Sequence, residues 1–105
     1  MNDLEAKIKQ ACPNEVDMEY VQKIIDAKAA GAVIPTRHTW RGEPIDGSHR
    51  IAAEIVSGTK ICDVINYDSV DEIDNGVLRE AVENYIERED DNAWRELLEI
   101  AQDCF

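Results

Sequence analysis

The chain has 105 residues, of which 44% are hydrophobic and 32% charged, and its formal net charge is −12. That length argues for a single domain, residues 1–105, with just enough chain to bury a core, and the composition excludes a disordered polypeptide. No apolar run approaches the ~18 residues of a membrane-crossing helix, and the charged segment Met1–Gln10 does not read as a secretory signal, so a cytoplasmic location with no membrane contact is expected.

Asn2-Asp3-Leu4-Glu5 resembles a helix capping box with Asn in the cap position, and Leu4, Ile8 and Ala11 share one face of the helix that follows. Pro13-Asn14 stops it. A second helix is predicted from about Asp17 to Ala30, with Met18, Val21 and Ile25 on its apolar side and Gly31 just past its end. Ala32 to Trp40 reads as a strand, Arg41-Gly42 as a turn, and Glu43 to Asp46 as a short second strand that Pro44 places near an edge or a strand start. A third helix begins near Ser48, carries Ile51, Ala52, Ile55 and Val56 inward, and ends at Gly58. Lys60 to Tyr67 reads as a third strand. Ser69-Val70-Asp71-Glu72 is a capping box for a short helix, which Asn75-Gly76 breaks. Val77, Leu78, Ala81, Val82, Tyr85 and Ile86 mark an amphipathic helix. Asp90-Asp91-Asn92 interrupts, and a last helix carries Trp94, Leu97, Leu98, Ala101 and Phe105 on its apolar side. The expected fold is mixed α/β, a short mixed sheet with packed helices.

The charge is unevenly placed. Residues 71–105 hold twelve acids and three bases, a net −9 of the total −12. Such a surface repels phosphates, so direct nucleic-acid binding is not expected, whereas a basic protein partner for Asp71–Phe105 is. The three cysteines, Cys12, Cys62 and Cys104, include no C-x-x-C pair. They are expected to be reduced and packed, with neither zinc nor an iron–sulfur cluster.

The informative stretch is Asp46-Gly47-Ser48-His49-Arg50. A strand delivers Asp46 to a turn, Gly47 permits a sharp bend or a close backbone approach, and Ser48 is suited to cap the next helix. The helix start offers unpaired N–H groups that can cradle an anion. Charged His49 and Arg50 in a first helical turn oppose the helix dipole by roughly 0.3–1 kcal/mol each. A bound phosphate would reverse that penalty. Arg37 and Arg41 lie close by in sequence, so the neighbourhood is locally basic within an acidic chain. Asp46 could hold a divalent cation on the phosphates or act as a base.

Residues 16–70, about half of the chain, resemble the ParB/sulfiredoxin superfamily in the order of these elements. Gly47-Ser48-His49-Arg50-Ile51-Ala52-Ala53 looks like that superfamily's Gly-x-x-Arg motif at a helix start. With Asp46 in front it is similar to the Asp-Gly-x-His-Arg form of the free-serine kinase branch. The resemblance implies a ParB/sulfiredoxin-like core followed by an acidic helical extension, residues 71–105. It further implies a nucleoside triphosphate, with Mg²⁺ near Asp46, and phosphate contacts from Gly47, Ser48, His49 and Arg50. Asp46 and Arg50 would then be the catalytic pair of a hydrolase or phosphotransferase. Ser48 stands where sulfiredoxins carry a cysteine, which argues against sulfinic acid reduction. The acidic extension also lacks the basic recognition surface that centromere binding requires.

Around this motif, Trp40 could stack on a base, and Glu19 and Asp26 of the second helix could supply a general base. The alternative to a nucleotide-binding domain is a non-catalytic acidic protein, of the kind made by phages and mobile elements, that mimics nucleic acid and inhibits a nucleic-acid-binding enzyme. The last helix offers a third expectation, self-association through Trp94, Leu98 and Phe105.

Overall fold

The computed structural model describes residues 3–105, so the capping box expected at Asn2 lies outside the described residues. Within them the fold is mixed α/β, five helices with a small three-stranded mixed sheet. The helices are α1 (Asp3–Ala11), α2 (Met18–Ala29), α3 (Ser48–Ser57), α4 (Gly76–Arg88) and α5 (Asp91–Cys104), and the strands are β1 (Arg37–Trp40), β2 (Glu43–Pro44) and β3 (Val64–Tyr67). A 3₁₀ turn spans Val70–Glu72. No helix among the described residues is long and apolar enough to cross a membrane.

The sheet order is β2-β1-β3, with β1 antiparallel to β2 and parallel to β3. Arg41 and Gly42 link β1 to β2 with φ of 47° and 84°, both positive, as a two-residue hairpin turn requires. Trp40 therefore faces Glu43 and Thr39 faces Pro44, and Pro44 sits on an edge strand as expected. From β2 the chain passes through α3 to β3, which lies on the far side of β1 and runs parallel to it.

All three strands are shorter than the sequence suggests. β1 starts at Arg37 rather than Ala32, because only from Arg37 does it find the backbone of β3, and Val33 upstream is 92% exposed. β2 ends at Pro44, two residues before Asp46. The apolar Ile61 and Cys62 are buried ahead of β3 instead of pairing within it.

Two apolar clusters organise the molecule. One joins Trp40 and Ile45 of the hairpin to Ile73, Leu78, Val82 and Leu97 below it. The other packs Ile8 of α1, Val21 and Ile24 of α2, and Ala52 and Ala53 of α3 around Ile61. The inward face of α2 is thus Val21 and Ile24, while Met18 is half exposed. In α5, Leu98 is buried and Trp94 packs partly against the first cluster, so both are used within the chain.

Capping follows local chemistry. Asp17 caps α2 through Glu19 N, and Ser69 and Glu72 form the expected reciprocal box. Asn75 both ends the preceding segment and caps α4, accepting from Val77 N and Leu78 N. Asp90 caps α5 by accepting from Ala93 N.

Candidate functional site

Gly47, not Ser48, precedes the first turn of α3, in a left-handed conformation with φ 77° and no side-chain cap. The first α3 amide tied to the backbone is Ile51 N, on Gly47 O. The amides of Ser48, His49 and Arg50 are therefore the open donors of this helix end. Gly47 also permits a close approach: a Cβ there would lie 2.7 Å from Arg37 Cβ and 3.1 Å from Arg50 Nε. The tight approach is to the chain's own arginines.

Asp46 is buried, 4% exposed, and its carboxylate accepts from His38 N and faces His38 Nδ1 at 2.9 Å and Arg50 Nη2 at 3.5 Å. A carboxylate only accepts, so the imidazole carries its proton on Nδ1. The His38 ring stacks on Phe105, with centroids 3.6 Å apart. The Tyr67 ring runs nearly parallel to it at 6.0 Å; burial, then Asp74, Asp46 and Glu72, push the Tyr67 phenol up, so it stays protonated.

Arg50 lies across the mouth of the same turn. Its Nη1 donates to Pro35 O at 2.8 Å and to Thr36 O at 2.9 Å. The guanidinium thereby fastens the segment leading into β1 onto the start of α3. Its charge is met by two carbonyls and by Asp46, rather than held open for a ligand.

His49 differs from the expected cation. Its Nε2 accepts the backbone N–H of Asp17 at 3.0 Å, which requires a lone pair, so in this arrangement the ring is uncharged and carries its proton on Nδ1. Tyr20 meets the ring edge-on at 4.9 Å. Opposition of two cations to the α3 dipole is therefore reduced to one guanidinium that is already paired. Ser48 is buried, and its hydroxyl accepts from Asn14 N at 2.9 Å while its carbonyl accepts from Cys12 Sγ at 3.3 Å. Burial pushes the Cys12 and Cys62 thiols up, which leaves both protonated and poor nucleophiles. All three cysteines are free.

These residues form one wall of an open cavity of about 650 Å³. Asp46, Gly47, Ser48, His49 and Arg50 all border it, so the structure brings the five expected residues together at one hollow. Across from them α2 contributes Tyr20, Lys23 and Ile24, and the end of the α5 segment contributes Gln102 and Phe105. That volume lies in the usual range for small-molecule sites, roughly 300–1,000 Å³. Glu19, Asp26, Trp40 and Arg41 do not line it.

Sequence reasoning missed three participants. Lys23 is an exposed cation on the cavity wall, but nothing in its local pattern sets it apart from other surface lysines. Phe105 reads as an apolar helix residue, yet it serves as a plate over His38. His38 itself was within reach. Counting back from the two-residue turn brings His38 beside Ile45, whose N–H it accepts at 3.1 Å, and so next to Asp46.

Both Asp46 oxygens accept hydrogen bonds from His38 and Arg50. Among the described residues no three His, Cys, Asp or Glu side chains gather into a metal-binding group. Comparison with protein-family models, with curated proteins and with solved structures returned no match.

Proposed function

We propose that the protein binds a nucleotide in the cavity at the start of α3, as a small phosphate-binding domain of ParB/sulfiredoxin type. The observation that carries the reading is the composition of that cavity's walls. One end offers the amides of Ser48, His49 and Arg50, with Lys23 facing the same hollow. The lining also offers ring and apolar surface from Tyr20, Ile24, Ile34 and Phe105, alongside the polar Asn14, Glu15 and Gln102. A phosphate suits the first, through helix-end N–H groups and a lysine charge. A planar base suits the second. The order α2, β1, β2, α3, β3, with Asp-Gly-x-His-Arg at the bend into α3, supports the superfamily resemblance.

In this reading the roles within the motif separate. The backbone of Ser48 to Arg50 meets the ligand. His49 can donate from Nδ1. Asp46 and Arg50 hold the bend in shape behind it. Any phosphoryl transfer would rest on positioning by these amides and on Lys23, and no step is assigned to a metal on Asp46.

The test is a thermal-shift and calorimetric titration with ATP, CTP, GTP and ADP, each with and without Mg²⁺. A ligand at about 100 times its Kd stabilises the fold by roughly 2.7 kcal/mol, a readily visible shift. Lys23→Gln is the informative variant, since Lys23 is exposed and its ammonium pairs with no group among the described residues. It is expected to weaken binding by about tenfold, the cost of one charge-assisted phosphate contact. Arg50→Ala cannot play this part, because Arg50 ties Pro35 and Thr36 to α3 and its loss disturbs the site's shape. Absence of any shift across the four nucleotides, or unchanged affinity in Lys23→Gln, would refute the assignment.

A further inference from the structure

On a different part of the surface, the β1–β2 turn meets the junction of α4 and α5. A groove of about 290 Å³ opens there, and an adjoining hollow of about 220 Å³ shares Glu43, Tyr85, Glu89 and Trp94 with it. Tyr85 and Trp94 line both, with ring centroids 4.9 Å apart and planes tilted by 54°. Glu43 stands on the hairpin side, Glu89 at the helix junction, and Asp91 at the first position of α5; all three are exposed. Asp90 also borders the hollow, but its carboxylate is taken by Ala93 N and by Arg88 at 3.3 Å. With these, all twelve carboxylates of residues 71–105 are exposed.

We propose that this groove receives an arginine side chain from a basic protein partner. Two aromatic faces give a guanidinium plane something to stack on, and carboxylates around them give it hydrogen-bond acceptors. Within the groove's own lining, Arg41 already lays its guanidinium over the Trp40 ring at 4.8 Å, while its Nε donates to the backbone carbonyl of Asp68. Charge complementarity selects the occupant. The lining holds Glu43, Glu89, Asp90 and Asp91 against Arg41 alone, and the acidic α4–α5 face extends the same field outward. The planar, forked guanidinium matches rings and carboxylates together, which the compact ammonium of lysine does not. The groove shares no lining residue with the cavity at the start of α3, so arginine capture does not depend on nucleotide binding there.

The experiment titrates the full chain, labelled with ¹⁵N, with a (Gly-Arg)₃ peptide, and follows the indole N–H signals of the two tryptophans. The Trp94 signal is expected to move saturably. The same peptide with citrulline for arginine should leave it still, and the lysine version should bind at least about fivefold more weakly. The double variant Glu43→Gln/Glu89→Gln should lose about tenfold or more in affinity, while Glu83→Gln/Glu87→Gln, outside the groove on α4, should lose less than about twofold. If the first double variant loses its folded spectrum, Asp91→Asn replaces it and should lose about threefold or more. An unmoved Trp94 signal, equal binding of arginine and lysine peptides, or equal losses in the two double variants would each overturn the assignment.

Discussion

Replacing Asp46 with alanine is expected to lower the unfolding free energy by about 3 kcal/mol, at the low end of the range for breaking a buried ion pair. Three donors converge on this one carboxylate: His38 N, His38 Nδ1 and Arg50 Nη2. The carboxyl group is only 4% exposed, so water cannot easily replace it. The loss stays at the low end because Arg50 keeps its bonds to Pro35 O and Thr36 O. Asp46→Asn preserves the volume and one acceptor, and should cost about 1–2 kcal/mol. Urea unfolding followed by tryptophan fluorescence measures both. A change under about 0.5 kcal/mol in Asp46→Ala, the scale of an ordinary surface substitution, would show that the carboxylate does not hold the bend together.

Gly47→Ala carries the second large effect, expected at about 3 kcal/mol or more from two sources that add. The left-handed φ of 77° disfavours any residue with a Cβ, by roughly 1–2 kcal/mol. The new methyl would also meet Arg37 Cβ at 2.7 Å. That atom is fixed to the β1 main chain and cannot swing away, so β1 and the start of α3 must separate. Gly42→Ala provides the internal comparison. Its φ is 84°, but nothing lies within 4 Å of the added methyl. It should show the conformational cost alone, about 1 kcal/mol. Equal losses at the two glycines in the same urea experiment would remove the argument from close approach.

Much of the helical frame was legible in the sequence because its signals are local. Gly58 sits just past α3 with φ 69°, and Ser69 with Glu72 closes a capping box. The sheet was less legible, because a strand is defined by its partner. Val33 and Ile34 have strand-like chemistry but find no ladder, since β3 runs alongside only from Arg37 to Trp40. The candidate site divides in the same way. The motif did mark a helix start bordering a cavity. What its side chains do there was set by segments far away in sequence: Asp17 N turns His49 into an acceptor, and Pro35 O and Thr36 O occupy Arg50. Local electrostatics read from neighbours alone assigned two loose cations where tertiary hydrogen bonding leaves none.

The hollow at the start of α3 lies along the seam between the two apolar clusters. Ile24 on its wall belongs to the cluster around Ile61, while Gln102 and Phe105 extend from the helix that carries Leu97 and Ala101 of the other. A molecule lodged there would act as a brace across two apolar clusters that do not merge into one. Local opening on either side would then have to break the same contacts. Amide exchange in α1 and in α5, though the two helices sit in different halves, should slow together once the seam is filled.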